Sequence, residues 1–166
     1  MKLQTKDIAA IGLMSALLIT LQVGFSFLPN IELVSILIIL FTIFIGWKTL
    51  YVIYIFVLVE GLIYGIHKWW ICYLYVWTIL MLITMLFKHS KSPFLWAIIS
   101  GTFGLSFGLL CTIPDYFIGG MPLAISTFIN GIPFDIIHGA SNYIIALILF
   151  KPLYTFFNWI DQKNYI

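Results

Sequence analysis

The residues with the chemistry to bind a ligand occupy isolated polar positions inside long apolar stretches. Asp135, His138 and Asn142 interrupt the run GIPFDIIHGASNYIIALILF. Their spacing of three and then four residues places all three on one face if the run is helical. A carboxylate, an imidazole and an amide can together fix the orientation of a small molecule by hydrogen bonds. We interpret this face as part of a binding pocket.

Further candidate binding residues lie at a similar depth of the membrane in the other predicted helices. Glu60 lies near the end of a third helix, and Tyr73 and Trp77 share one face of a fourth helix with Trp70. Asp115 begins the segment that follows a fifth helix. An ionisable group at the centre of a bilayer costs roughly 2.5–3.5 kcal/mol on insertion scales, so it usually faces protein or a wet cavity. The pattern favours a pocket with aromatic walls.

Structural interpretations of the same residues remain open. His138 could be a satisfied core histidine that donates its proton to Asp135, one turn away. Trp69, with its neighbouring tryptophan, falls where aromatic belts at the membrane surface are common. The stripe formed by Tyr73 and Trp77 could be core packing.

The elements that must position these residues are apolar helices. Hydrophobic residues make up 63% of the 166 positions and charged residues only 8%, whereas soluble domains carry about 25% charged residues. Roughly 20 apolar residues cross about 30 Å of hydrocarbon. We therefore predict an all-α integral membrane protein, a six-transmembrane-helix bundle that forms a single domain over residues 1–166. The predicted helices are 7–27, 31–46, 49–66, 69–87, 93–113 and 133–150.

The boundaries of the last two helices rest on proline. Pro93 and Pro133 are expected in first helical turns, where a missing N–H group is tolerated. Residues 114–132 contain two prolines and paired glycines, which argue against a continuous helix. We predict an outer loop there that could contain a short re-entrant helix. The N-terminal stretch has no small-residue cleavage site and is expected to remain as the first helix.

Lysine distribution predicts the orientation, because cytoplasmic loops retain positive charge. With both termini cytoplasmic, only Lys68 lies outside. The lysines then on the inner side are Lys2, Lys6, Lys48, Lys88, Lys91, Lys151 and Lys163. The net charge of +2 reflects this bias and gives no reason to propose nucleic acid as a partner.

The sequence contains neither a paired-cysteine motif nor a known catalytic motif. Cys72 and Cys111 lie in apolar surroundings without a CxxC pattern, so we expect neither a disulfide nor a zinc or other metal site. The sequence has no Walker, GxGxxG, HExxH or GxSxG motif, and we expect no enzyme activity.

The first helix has small residues at Ala9, Gly12 and Ala16 on one face, which permits close approach of another helix. This helix belongs to the first of three informative stretches, which are TKDIAAIGLMSALL, PNIELVSILIILFTIFIGWKTLYVIYIFVLVEGLIYG and GIPFDIIHGASNYIIALILFKPLY. In these stretches the chain resembles the substrate-binding S components of energy-coupling factor (ECF) transporters.

The resemblance implies a multi-pass protein of the bacterial cytoplasmic membrane that captures a vitamin-like compound at its outer face. It would dock on a transmembrane scaffold (T) subunit through Ala9, Gly12 and Ala16. Two partner ATPases would use the ATP, and this chain would need no cofactor. By position, the implied substrate-binding residues are Asn30, Glu60, Tyr73, Trp77, Asp115, Asp135, His138 and Asn142.

The substrate class stays open at this stage. Aromatic walls favour a planar ring, and acids without any arginine in the chain favour hydrogen-bond donors or positive charge over an anion. A pyridoxine-like or pyrimidine-like compound fits, and a nucleoside or haem with His138 as an axial ligand is an alternative. A different class of function is a membrane assembly protein whose polar residues join helices.

Overall fold

The computed structural model describes residues 3–163, and every regular element in that range is helical. The elements are α1 Thr5–Gly24, α2 Val34–Ile45, a 3₁₀ turn Gly46–Lys48, α3 Thr49–Tyr64, α4 Lys68–Phe87, α5 Pro93–Cys111 and α6 Ile113–Gln162. Five helical segments are long and apolar enough to span a membrane. The prediction of an all-helical chain is confirmed, and the long apolar helices are compatible with the predicted membrane protein.

The number of membrane crossings stays a prediction. The segment Val34–Tyr64 qualifies as one long apolar span, yet Gly46 interrupts it with a φ of 56°. By itself α2 has 12 residues, which measure about 18 Å along a helix axis. That length is short of the roughly 30 Å of hydrocarbon in a typical bilayer.

Two ion pairs mark opposite ends of the bundle. Lys48, in the turn between α2 and α3, bonds Asp7 at the start of α1 with an N–O distance of 2.7 Å. We call this the Asp7 end. Lys68, at the start of α4, bonds Asp115 at the start of α6 at 2.8 Å, and we call this the Asp115 end. The chain runs from the Asp7 end to the Asp115 end along α3 and returns along α4.

Most lysines of the described chain lie toward the Asp7 end. Lys48 forms the ion pair there, Lys6 precedes Asp7 in the chain, and the connection between α4 and α5 carries Lys88 and Lys91. Lys68 lies at the Asp115 end. Lys2, which also entered the orientation prediction, lies outside the described residues.

Helix α2 forms the centre of the core. Every residue from Val34 to Thr42 is buried, as expected for a helix that is apolar on all sides and surrounded by other elements. Its neighbours include α1, α3, α4 and α6. Helix α2 is therefore covered by protein along this stretch.

Helices α5 and α6 pack closely through glycine. A Cβ atom at Gly104 would lie 2.8 Å from the carbonyl oxygen of His138 and 2.9 Å from the Cα of Gly139. A Cβ at Gly101 would lie 2.9 Å from the Cβ of Tyr143. Small residues allow two backbones to approach in this way. The contact fixes the height of His138 relative to α5.

The predicted outer loop 114–132 is wrong, and so is the predicted start of the last helix at Pro133. Helix α6 extends over Ile113–Gln162 and leaves helical geometry only at Gly119 and Gly120. Pro114 lies in the first turn of α6, where proline is tolerated. Paired glycines therefore produce one sharp kink and not a long loop. The predicted start at Pro93 is confirmed, with the Ser92 hydroxyl capping α5 by accepting the N–H of Leu95.

The expectation of unbonded cysteines is also wrong. Cys72 and Cys111 form a disulfide between α4 and α5, with their Cα atoms 5.2 Å apart. The two helices run in opposite directions, so an early residue of α4 meets the last residue of α5. Pairing of this kind depends on tertiary packing and leaves no local spacing signal.

Candidate functional site

A cavity of about 500 Å³ lies at the Asp115 end of the bundle. Its volume falls within the range of about 300–1,000 Å³ that is typical of small-molecule sites. The lining comes from five helices, namely α1, α3, α4, α5 and α6, and from the connection between α1 and α2, which contributes Phe25, Leu28 and Asn30. The Ser141 hydroxyl of α6 donates a hydrogen bond of 2.7 Å to the carbonyl oxygen of Asn30. This bond fixes the connection beside the cavity.

A continuous series of aromatic rings lines one side of the cavity. Tyr64, Trp69, Tyr73, Trp77 and Phe107 all contribute to the lining. Successive centroids from Trp69 to Tyr73 and from Tyr73 to Trp77 are 5.2 and 5.3 Å apart, in edge-to-face geometry. Trp77 and Phe107 are 5.7 Å apart. Edge-to-face pairs stabilise one another, so the rings form a fixed wall.

Two buried polar atoms of cavity residues have no partner within the described chain. They are Oε1 of Glu60 and the indole Nε1 of Trp77. Both side chains are 1% exposed. Buried donors and acceptors are normally hydrogen-bonded, and an unmade bond costs about 1–3 kcal/mol. Both atoms belong to residues that line the cavity, so a bound molecule that reaches them would supply the missing donor and acceptor.

Glu32 is a cavity residue that sequence reasoning did not select. Its Oε1 lies 3.4 Å from Nε2 of His138, and its Oε2 accepts the Ser35 N–H at 2.8 Å. Burial by itself would raise the pKa of Glu32, but the bonds and charge of His138 together with the Ser35 bonds hold that pKa below its ordinary value. The only signal in the sequence was an acid between Pro29-Asn30 and an apolar helix.

Five of the eight predicted binding residues meet in the cavity, and three lie elsewhere. The five are Asn30, Glu60, Tyr73, Trp77 and His138. Asp115 bonds Lys68, and the amide of Asn142 donates to the Ser35 hydroxyl at 3.2 Å. Asp135 accepts the Gly108 N–H at 3.0 Å. These three residues bond neighbouring elements outside the cavity lining.

Two expected contacts differ from those found. His138 approaches Glu32 and not Asp135, because Asp135 points to the backbone of α5. Trp70, expected on the face with Tyr73, instead donates its indole N–H to the carbonyl oxygen of Val57 at 2.8 Å. Trp69, considered as part of an aromatic belt, contributes to the cavity wall in its place.

The predicted docking face on α1 is unoccupied by other parts of the described chain. Ala9, Gly12 and Ala16 are all exposed, and a Cβ placed on Gly12 would meet nothing within 4 Å. The opposite side of α1 packs into the core through Ile11, Met14 and Leu18.

Residues 3–163 contain no group of three histidine, cysteine, aspartate or glutamate side chains arranged to hold a metal ion. The arrangement suits binding, because an aromatic wall faces a small number of polar groups across an open cavity. No family, curated protein or solved structure matches this chain, so the geometry of the cavity carries the functional proposal.

Proposed function

We propose that this chain is the substrate-binding S component of an ECF-type importer, which captures a planar, vitamin-like molecule in the aromatic cavity. The observation that carries the proposal is the pair of unpartnered buried atoms, Oε1 of Glu60 and Nε1 of Trp77, beside a cavity of about 500 Å³. A heterocycle that stacks on the rings and bonds both atoms would satisfy them.

The proposed orientation places the Asp7 end in the cytoplasm and the cavity on the outer side of a bacterial cytoplasmic membrane, with six crossings and both termini inside. The excess of lysine at the Asp7 end supports it, because cytoplasmic loops retain lysine. The Cys72–Cys111 disulfide joins α4 and α5 toward the Asp115 end. Disulfides persist outside the reducing cytosol, which is consistent with this orientation.

The proposed partners are a transmembrane scaffold subunit and two ATPases. The exposed Ala9, Gly12 and Ala16 would form the scaffold contact, since small residues let helices approach closely in a membrane. ATP would be hydrolysed by the partners, and this chain would bind its substrate without catalysing a reaction.

Among the alternative substrates, a nucleoside suits the cavity better than haem. A nucleoside base can stack on Trp69 or Tyr73, which line the wall. Haem ligation would need a ring nitrogen of His138, but Nε2 already lies 3.4 Å from Glu32. The centroid of Phe107 is also only 5.0 Å from that of His138.

The test is ligand retention and binding by the detergent-purified chain. Small molecules extracted from the protein are identified by mass spectrometry, and their affinity is then measured for matched tryptophan variants. Trp77→Phe removes the unpartnered N–H and is expected to weaken binding by about tenfold, the cost of one buried hydrogen bond. Trp96→Phe is the control, because Trp96 is equally buried but donates to the carbonyl oxygen of Ser90 outside the cavity.

Equal affinity in the two variants and the wild type would contradict the proposed site. If cavity variants instead fail to fold and no ligand is retained, the membrane assembly protein becomes the better explanation. The hydrogen bonds by which Asp135 and Asn142 join α6 to α5 and α2 are the observations that favour that second candidate.

A further inference from the structure

We propose that the ligand of the cavity is a cation, namely an aromatic heterocycle whose positive charge is neutralised by the carboxylate of Glu60. This inference rests on the proposed ligand-binding function and specifies its substrate class. It also assigns Glu60 as the residue that determines specificity for charge.

The charges around the cavity are unbalanced toward the negative. Glu32 and Glu60 both contribute to the lining, and its one basic side chain, His138, already contacts Glu32 at 3.4 Å. Lys68, at the same end of the bundle, is held by Asp115 at 2.8 Å. An anionic ligand would therefore meet no basic side chain in the lining that is not already paired with an acid.

The two acids differ in their partners. Glu32 contacts His138 at 3.4 Å and accepts the Ser35 N–H at 2.8 Å. Glu60 has a buried Oε1 that meets no donor within the described chain. Glu60 is therefore the acid that remains to bind a ligand.

A buried carboxylate requires a partner of opposite charge or must be neutral. An isolated ionised carboxylate in an apolar environment is strongly unfavourable, and a paired one is tolerated. A cationic ligand supplies this partner on binding. A protonated Glu60 would instead donate a hydrogen bond to a neutral ligand, and a glutamine at this position separates the two cases.

The aromatic wall provides the second element of cation recognition. Phe56, one turn before Glu60 on α3, has its centroid 6.2 Å from that of Tyr73 and 6.1 Å from that of Trp77. Glu60 therefore lies beside the part of the wall formed by these rings. The faces of tryptophan and tyrosine attract cations within about 6 Å of the ring centroid. A planar cation can thus stack on a ring while its charge approaches the carboxylate.

The experiment compares ligands that differ in charge but little in shape. Binding to the full chain in detergent is measured by calorimetry with 1-methylnicotinamide and nicotinamide, and with 1-methylquinolinium and quinoline. Nicotinate and quinoline-3-carboxylate serve as the anionic members. The charge of any molecule retained from the expression host is determined by mass spectrometry on the wild-type protein.

The expected result is that the cation of each pair binds at least tenfold more tightly than its neutral partner, and that Glu60→Gln abolishes this preference. If the wild type instead retains or binds a neutral or anionic molecule, and Glu60→Gln binds that molecule with the same affinity, the cation inference is overturned. The ligand-binding function would then remain intact. Absence of any retained molecule and of binding by every probe would overturn both. If Glu60→Gln does not fold, the charge of the retained molecule decides the question.

Discussion

Glu32 and His138 are 106 positions apart in the chain, yet their side chains meet at the edge of the cavity. The contact joins the connection before α2 to α6. It also holds the imidazole against Phe107, with centroids 5.0 Å apart. This pair therefore links the shape of the binding cavity to the stability of the fold.

Glu32→Gln is expected to lower the free energy of unfolding by about 1–3 kcal/mol, the cost of disturbing a buried charged hydrogen bond. Because the folded-state pKa of Glu32 lies below its ordinary value, its stabilising contribution is complete above the unfolded-state pKa. That contribution is lost as the pH falls through the folded-state pKa. Thermal unfolding midpoints measured over a pH series would show it.

The matched control for this prediction is the wild-type chain over the same acidic range. It should lose stability on acidification more steeply than Glu32→Gln. Parallel pH profiles for the two proteins would show that Glu32 is not ionised and paired in the folded state.

For individual residues, the sequence predicted the depth at which each side chain lies along its helix, but not the residues with which it bonds. Glu60, Tyr73 and Trp77 were found because polar and aromatic groups in an apolar run are conspicuous. Asp135 and Asn142 share a helix face with His138, but α6 meets different neighbours along its length. Asp135 bonds the backbone of α5 and Asn142 bonds Ser35 of α2, so the common face does not form one site.

At the level of helices, the close packing of α5 against α6 leads to a prediction about stability. Gly104→Ala is expected to destabilise the protein by about 1–3 kcal/mol, because the added methyl group meets backbone atoms of His138 and Gly139 that cannot move aside. The measurement is the thermal unfolding midpoint of the purified protein.

Gly12→Ala is the matched control for Gly104→Ala. The same methyl group there meets nothing within 4 Å, and alanine favours helix over glycine by up to about 1 kcal/mol. Equal losses of stability in the two variants would contradict the close α5–α6 contact.

The disulfide between α4 and α5 gives a second prediction about how contacts between helices stabilise the protein. Cys72→Ser combined with Cys111→Ser is expected to cost about 2–4 kcal/mol, since the bond closes a loop across 39 positions of the chain. Thermal unfolding with and without a thiol reductant would measure the effect. The reductant should lower the midpoint of the wild type and leave the double variant unchanged, whereas two titratable thiols in the untreated wild type would contradict the bond.

The elements themselves were largely predictable because apolar length and proline position are local signals. Pro93 marked the start of α5 correctly. The kink at Gly119 and Gly120 was mistaken for the beginning of a loop, since composition does not show whether a helix resumes after a break. The disulfide and the glycine contact depend on which helices lie side by side, and neither has a local signature.

For the molecule as a whole, composition alone predicted the membrane-compatible helical fold, while the direction of insertion rests on lysine. The described chain has an end with several lysines and an end with the cavity and Lys68. Uptake from outside requires the cavity end to face outward. Orientation is therefore the property on which the transport proposal depends most directly.

Two histidines in opposite connections allow this orientation to be measured. His67 precedes α4 at the Asp115 end, His89 lies between α4 and α5 at the Asp7 end, and both are exposed. With His67→Cys and His89→Cys as separate variants, a membrane-impermeant maleimide added to intact cells is expected to label only the first. Permeabilised cells should label both, while the bonded native cysteines stay unreactive. Labelling of His89→Cys alone in intact cells would place the cavity in the cytoplasm, and capture of an external substrate would then be impossible.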